Sequence, residues 1–261
     1  MISNKILGIA VSIAAIVAVW ACGGKQSDIP VEEHNDAICN EVNMPGDSTL
    51  YGLACDGCSD TLLVLLPNAG GDPDTLNILE ASKAHRVFGR LRIGDKVAVI
   101  RNAEDSHVGD IVINMNELKG EWCYQVIPTL RERAGMDKDM LKKAERKPEF
   151  DSIIQKLLQP REYGVEIKGE YTARPIGIQR SSDNDKNSPV VLPPLKRYRA
   201  WRIFNGKLLL SETSRDTTGS VTLSATDTAT LVLLHRDTLV LRFNDGEQGY
   251  YRKRTDEKAP Q

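Results

Sequence analysis

The C-terminal part of the chain is built from short apolar-polar runs cut by tight-turn pairs, and that pattern leaves little choice but an antiparallel sheet. Leu239, Leu241 and Phe243 alternate with Thr238, Val240 and Arg242, the period of two that a strand with one face on a core requires. Asn205-Gly206, Arg236-Asp237 and Asp245-Gly246 separate neighbouring runs; Asn-Gly and Asp-Gly are the pairs that accept the positive φ of two-residue hairpin turns. The pattern predicts strands over 163–168, 170–179, 198–204, 208–211, 221–224, 230–235, 238–243 and 250–253, preceded by one that runs from 118 to 127 and stops at Pro128. Residues 181–194, polar and then proline-rich, read as a long exposed loop. A meander of about eight or nine strands exposes its edges unless it closes on itself, so an up-and-down barrel is the expected architecture.

Two helices are expected between the first strand of this meander and the rest. Asp137 suits the N-cap of one that carries Met140, Leu141 and Ala144, and Pro148 suits the first turn of another, with Phe150, Ile153, Ile154, Leu157 and Leu158 on one apolar stripe that Pro160 ends. Ahead of the meander, residues 47–116 show short apolar runs at 62–66, 97–100 and 111–113, with turn residues at 67–74. This block reads as a small β-barrel or sandwich, in which Gly94-Asp95 joins strands at 90–93 and 96–100 as a tight hairpin. Residues 75–88 fit either a strand over 76–78 or a short helix through Leu79, Ser82 and Lys83, and periodicity over so few residues does not choose.

Gly120-Glu121-Trp122 opens the meander and Tyr250-Tyr251-Arg252 closes it. The first resembles the G-x-W motif of lipocalins, a family that places a basic side chain from the last strand across that tryptophan. Over roughly residues 117–254 the resemblance implies a lipocalin-like barrel in which Gly120, Trp122 and Arg252 close one end, Arg252 stacking on Trp122 as a cation on a π face. The helix pair departs from lipocalins and is similar to the lid of the related fatty-acid-binding barrels. The fold class expected is mainly β: the small N-terminal β domain, then the lipocalin-like up-and-down barrel with a short helix pair after its first strand. A barrel of this size is either filled by side chains or holds one small ligand. The stripe at Phe150 to Leu158, over the mouth, would favour a hydrophobic guest; as a plug, it would fill the end instead.

The N-terminus gives the address. Lys5 precedes an apolar run over 6–19, shorter than the ~20 residues that a membrane-spanning helix needs. The segment reads as a signal peptide, residues 1–21, that is removed. Val19-Trp20-Ala21-Cys22 resembles the lipobox of bacterial lipoproteins, which implies that Cys22 is lipidated and becomes the mature N-terminus. Several acyl chains at ~0.8 kcal/mol per buried methylene hold a protein on a bilayer almost permanently. In that family an aspartate after the cysteine favours inner-membrane retention; Gly23 stands here, so the outer membrane is expected, on either face. Residues 22–46 read as the lipidated cysteine and a flexible tether, and 255–261 as a disordered tail.

Signals for chemistry are few, and no catalytic residue, cofactor or metal is expected. The chain carries 34 Lys and Arg against 36 Asp and Glu with no long run of either sign, so nothing electrostatic favours nucleic acid. Cys55-Asp56-Gly57-Cys58 is a C-x-x-C, but no helix follows to lower a thiol pKa and no second pair appears for a metal; a local disulfide between Cys55 and Cys58, or longer staples with Cys39 and Cys123, is expected. His34, His85, His107 and His235 are scattered without metal-ligand spacing. Asp183 to Asn187 imitates a calcium loop, but Ser188 and Pro194 stand where glycine and glutamate are needed. No nucleophile elbow, Walker loop or dinucleotide fingerprint is present. The expectation is a non-catalytic envelope lipoprotein whose partners are the membrane, a small hydrophobic ligand and an envelope protein. The alternative is an interaction scaffold of an outer-membrane assembly with a side-chain-filled barrel.

Overall fold

The computed structural model describes residues 44–131, 158–178, 190–215 and 221–254. Cys22 with its leader, the tether as far as residue 43, Cys39, His34, the expected helices between 132 and 157, the calcium-like residues 183–187 and the tail lie outside the described residues.

The first block comprises β1 (Leu50–Ala54), β2 (Leu62–Pro67), β3 (Asp74–Asn77), the short helix α1 (Leu79–Lys83), β4 (Val87–Phe88), β5 (Lys96–Arg101) and β6 (Gly109–Asn114). These strands form a six-stranded mixed sheet ordered β3-β2-β1-β5-β6-β4, with β4 parallel to β6 and the other pairs antiparallel. The sheet rolls up: Asn77 at the end of β3 bridges Val108, and its amide donates to the His107 carbonyl at 2.8 Å. The ambiguity at 75–88 resolves as strand followed by helix. The hairpin expected around Gly94-Asp95 is corrected, because residues 90–93 are not a strand. Both edges of β5 are taken by β1 and β6. The backbone of Arg90 is satisfied by side chains instead: its amide donates to Glu117 at 2.6 Å and its carbonyl accepts from Asn114 Nδ2 at 2.5 Å.

The sheet is apolar on both faces, and this places the two blocks together. Val97 and Val99 point into the first block's own core with Leu63, Leu65, Leu76 and Val112. Ala98 and Ile113, on the opposite face by strand alternation, join the core of the barrel. A strand buried on both sides reads as a continuous apolar run, as Val97 to Ile100 does.

The turn α2 (Met115–Leu118), capped by Asn114 Oδ1 accepting the Asn116 and Glu117 amides at 2.9 Å each, leads into the second block. It comprises β7 (Gly120–Val126), β8 (Thr129–Leu130), β9 (Arg161–Ile167), β10 (Ala173–Ile176), β11 (Val190–Val191), β12 (Tyr198–Phe204), β13 (Lys207–Arg215), β14 (Val221–His235), β15 (Thr238–Phe243) and β16 (Gly246–Arg252). Eight of them form one antiparallel sheet, β10-β9-β7-β16-β15-β14-β13-β12. First and last strands meet, Trp122 opposite Arg252 and Cys123 opposite Tyr251. The remaining seam is nearly closed: Thr172 bridges Ala200, and the Trp201 amide donates to the Tyr171 carbonyl at 2.9 Å. The result is a nearly closed up-and-down barrel.

Two further expectations are corrected. The runs expected at 221–224 and 230–235 are one strand, β14, of 15 residues. The expected exposed loop at 181–194 contains β11, which pairs with β8, while Val190 and Leu192 are buried and Leu192 packs with Val126 and Tyr163.

The first sheet docks on the end of the barrel where β7 begins and β16 stops. Tyr51, Phe88, Met115 and Leu118 share one core with Trp122, Trp201, Ile203, Leu208, Leu231 and Leu239. The Tyr51 hydroxyl lies 2.6 Å from the Ile203 carbonyl and 2.9 Å from Asp47 Oδ2. Asn205-Gly206 turns the β12–β13 hairpin with φ of 48° and 73°, and a Cβ on Gly206 would stand 2.9 Å from Ile111 Cδ1. Glycine there serves both the turn and the close approach of the sheet.

Candidate ligand-binding site

The interior of the barrel changes character from one end to the other, and β14 and β7 carry the change. On β14 the inward positions run Asp227, Ala229, Leu231, and on β7 they run Tyr124 then Trp122. The Trp122 end is packed solid and the Asp227 end is not.

At the packed end Trp122 is fully buried, and its Nε1 donates to the Leu118 carbonyl at 2.7 Å. The Arg252 guanidinium sits over the ring, its Cζ 4.1 Å from the centroid. Its Nη1 donates to the Lys119 carbonyl and its Nη2 to the Glu117 carbonyl, both at 2.6 Å, and its Nε donates to the Arg236 carbonyl. A planar fork of donors suits several carbonyls at once in a way that an ammonium does not. Burial lowers the Arg252 pKa from a value so high that the group remains cationic. Gly120 has φ +141°, and a Cβ there would meet Arg252 Nη1 at 2.2 Å. Only glycine lets the guanidinium through.

At the other end a cavity of about 450 Å³ opens, with Tyr124, Val165, Tyr198, Asp227, Phe243 and Tyr250 among its walls. That volume lies within the range of small-molecule sites. Tyr124 and Tyr250 meet edge to face with ring centroids 5.3 Å apart. The Tyr198 hydroxyl donates to Asp227 Oδ2 at 2.5 Å, and Lys196 Nζ pairs with the same oxygen at 2.8 Å. Burial and then the Asp227 hydrogen bond push the Tyr198 phenol upward. Burial alone would raise the Asp227 carboxyl, but hydrogen bonds from Lys196 and Tyr198 outweigh it and hold the group below the usual carboxylate range. Its partner responds in kind, the Lys196 ammonium being raised by the bond to Asp227. Burial, and then Tyr124 and the charges of Asp227 and Asp245, also raise the Tyr250 phenol. The mouth therefore holds a carboxylate, an ammonium and protonated phenols at neutral pH.

Gly120, Trp122 and Arg252 are thus brought together. Cys55 and Cys58 are not bridged: both are free, half-buried thiols, and Cys58 Sγ accepts the Val64 amide at 3.4 Å. Cys123 is free and fully buried, its thiol pushed up to about 11 by burial and by the charge of Glu162. No group of potential metal ligands and no helix long and apolar enough to cross a membrane occurs among the described residues. The mouth residues were not singled out from the sequence, although a signal exists. Thr226-Asp227-Thr228 interrupts the apolar pattern of β14 because the interior it faces there is open and polar. Comparison with known proteins found no family model, no curated protein and no solved structure that matches the chain.

Proposed function

We propose that the protein is a lipid-anchored, non-catalytic binding protein of the bacterial cell envelope, moored to the outer membrane through Cys22, whose barrel takes a small organic guest at its open end. The observation that carries this reading is the asymmetry of the interior. Trp122 and Arg252 plug one end, while about 450 Å³ at the other is left open between tyrosines. The lipobox-like Val19-Trp20-Ala21-Cys22 supports the anchor, and the G-x-W start with Arg252 across the tryptophan supports a lipocalin-like binding role. The walls favour a guest with polar groups over a bare hydrocarbon, since phenols and the Lys196–Asp227 pair line the space. A scaffold role is weaker, because it has no use for the opening.

Native mass spectrometry of the full chain released from membranes tests the proposal. It should find a non-covalent adduct of one small molecule on a chain that begins at an acylated Cys22. A guest-free chain, unchanged in thermal stability across a panel of small amphiphiles, would favour the scaffold; an intact leader would remove the anchor.

A further inference from the structure

The charges around the barrel mouth do not balance. Lys196 is already matched by Asp227 at 2.8 Å, and Glu247 by Arg242 at 2.6 Å. Asp245, on the turn between β15 and β16, lines the same cavity and has no ion pair or hydrogen bond among the described residues. Its field reaches inward, for it contributes to raising both the Tyr250 phenol and the Lys196 ammonium. Independently, Tyr250 is only 8% exposed and lines the cavity, yet its hydroxyl has no partner among the described residues. The hydroxyl opens into the cavity from an otherwise buried side chain, so it is free to meet a hydrogen-bonding group of whatever fills the space.

The geometry points to a small organic cation, an amine carried on an aromatic or alicyclic body, as the guest of the barrel mouth. The inference rests on the reading of the mouth as a binding site. The ammonium faces Asp245 and the Tyr250 hydroxyl, and the body lies against the Tyr124 and Tyr250 rings, Phe243 and Val165. Phenol rings attract a cation through their electron-rich faces, and the attraction grows as water is excluded. An anionic guest would meet Asp245 with no free cation to offset it, since Lys196 is engaged. A plain hydrocarbon would fill the space and leave the Tyr250 hydroxyl unpaired.

The test uses tryptamine, tryptophol and indole-3-propionate, which share an indolyl-ethyl frame and differ in the charge of the head. Each is titrated onto the full chain and followed by saturation-transfer NMR. Tryptamine should bind about tenfold tighter than tryptophol, with indole-3-propionate weakest. Asp245→Asn, an exposed turn substitution, should weaken tryptamine about threefold and leave tryptophol unchanged. Equal binding of the three overturns the cationic assignment while leaving the mouth as a site. Preference for indole-3-propionate overturns it in favour of an anion. Tryptamine affinity unchanged by Asp245→Asn overturns the placement of the ammonium. Saturation transfer to none of the three overturns the site itself and the inference with it.

Discussion

Replacing Trp122 by alanine removes the side chain on which the packed end of the barrel is built. The ring is wholly buried, and large aromatic-to-alanine changes in such sites cost about 3–5 kcal/mol. Two further losses accompany the cavity. The Leu118 carbonyl gives up the Nε1 donor at 2.7 Å, and the Arg252 guanidinium gives up a π face 4.1 Å away. The second is worth ~0.5–2 kcal/mol for a partly desolvated cation. These losses share the same atoms and do not sum, so a total near the upper end, about 4–5 kcal/mol, is expected. Against a whole-domain stability of ~5–15 kcal/mol this brings the chain close to unfolding at 25 °C. Trp122→Phe keeps most of the packing and should cost clearly less. The assay is equilibrium urea unfolding by far-ultraviolet circular dichroism, with the Arg252→Met variant added to complete a double-mutant cycle. A Trp122→Ala cost under about 1 kcal/mol, the range of surface substitutions, would refute the reasoning. So would additivity with Arg252→Met, because residues in contact must couple.

Other expectations are as direct. Tyr51→Phe deletes the hydroxyl that meets the Ile203 carbonyl and Asp47, and should cost about 1–3 kcal/mol in the same unfolding assay; a neutral result would mean that the first sheet does not depend on this tie to the barrel. Asp227 has a folded pKa below its unfolded value, so its contribution is present above the unfolded carboxylate pKa and is lost as pH falls through the folded one. Stability of the parent should therefore fall more steeply than that of Asp227→Asn below about pH 4, and parallel acid limbs would contradict the Lys196–Asp227–Tyr198 arrangement. Iodoacetamide at pH 8 should alkylate the half-buried Cys55 and Cys58 well before Cys123, whose thiol is buried and raised to about 11; equal rates by peptide mapping would count against that burial.

What the sequence disclosed follows from where its physics is local. The Asn205-Gly206 turn and the alternation over 238–243 depend on adjacent residues alone, and the structure has the turn and β15 at those residues. The turn expected at Asp245-Gly246 lies one residue earlier, at Asn244-Asp245, with Gly246 already in β16. The meeting of the first and last strands was legible because a meander that closes has one way to hide its edges. Less legible were features set by distant partners. β4 pairs parallel to β6 over two residues, and β11 pairs with β8 across a long stretch of chain, neither of which leaves a periodic trace. The first sheet's second apolar face is explained only by its docking on the barrel, through Ala98 and Ile113. At the mouth the polar run Thr226-Asp227-Thr228 falls in the gap between the strands expected at 221–224 and 230–235, because it lacks the apolar positions by which a strand is recognised. An open, polar interior erases the apolar positions without ending the strand, so the interruption of the pattern marks the site.

The central claim, packed at Trp122 and hollow beyond Val165, is tested most directly by Val165→Phe. Val165 is 2% exposed and borders the cavity. If the space above it is open, the larger ring enters it, unfolding free energy changes by less than about 1 kcal/mol, and tryptamine no longer binds. If the barrel is filled, the substitution costs the ~1–3 kcal/mol of overpacking and leaves tryptamine's behaviour as it was, and the account fails.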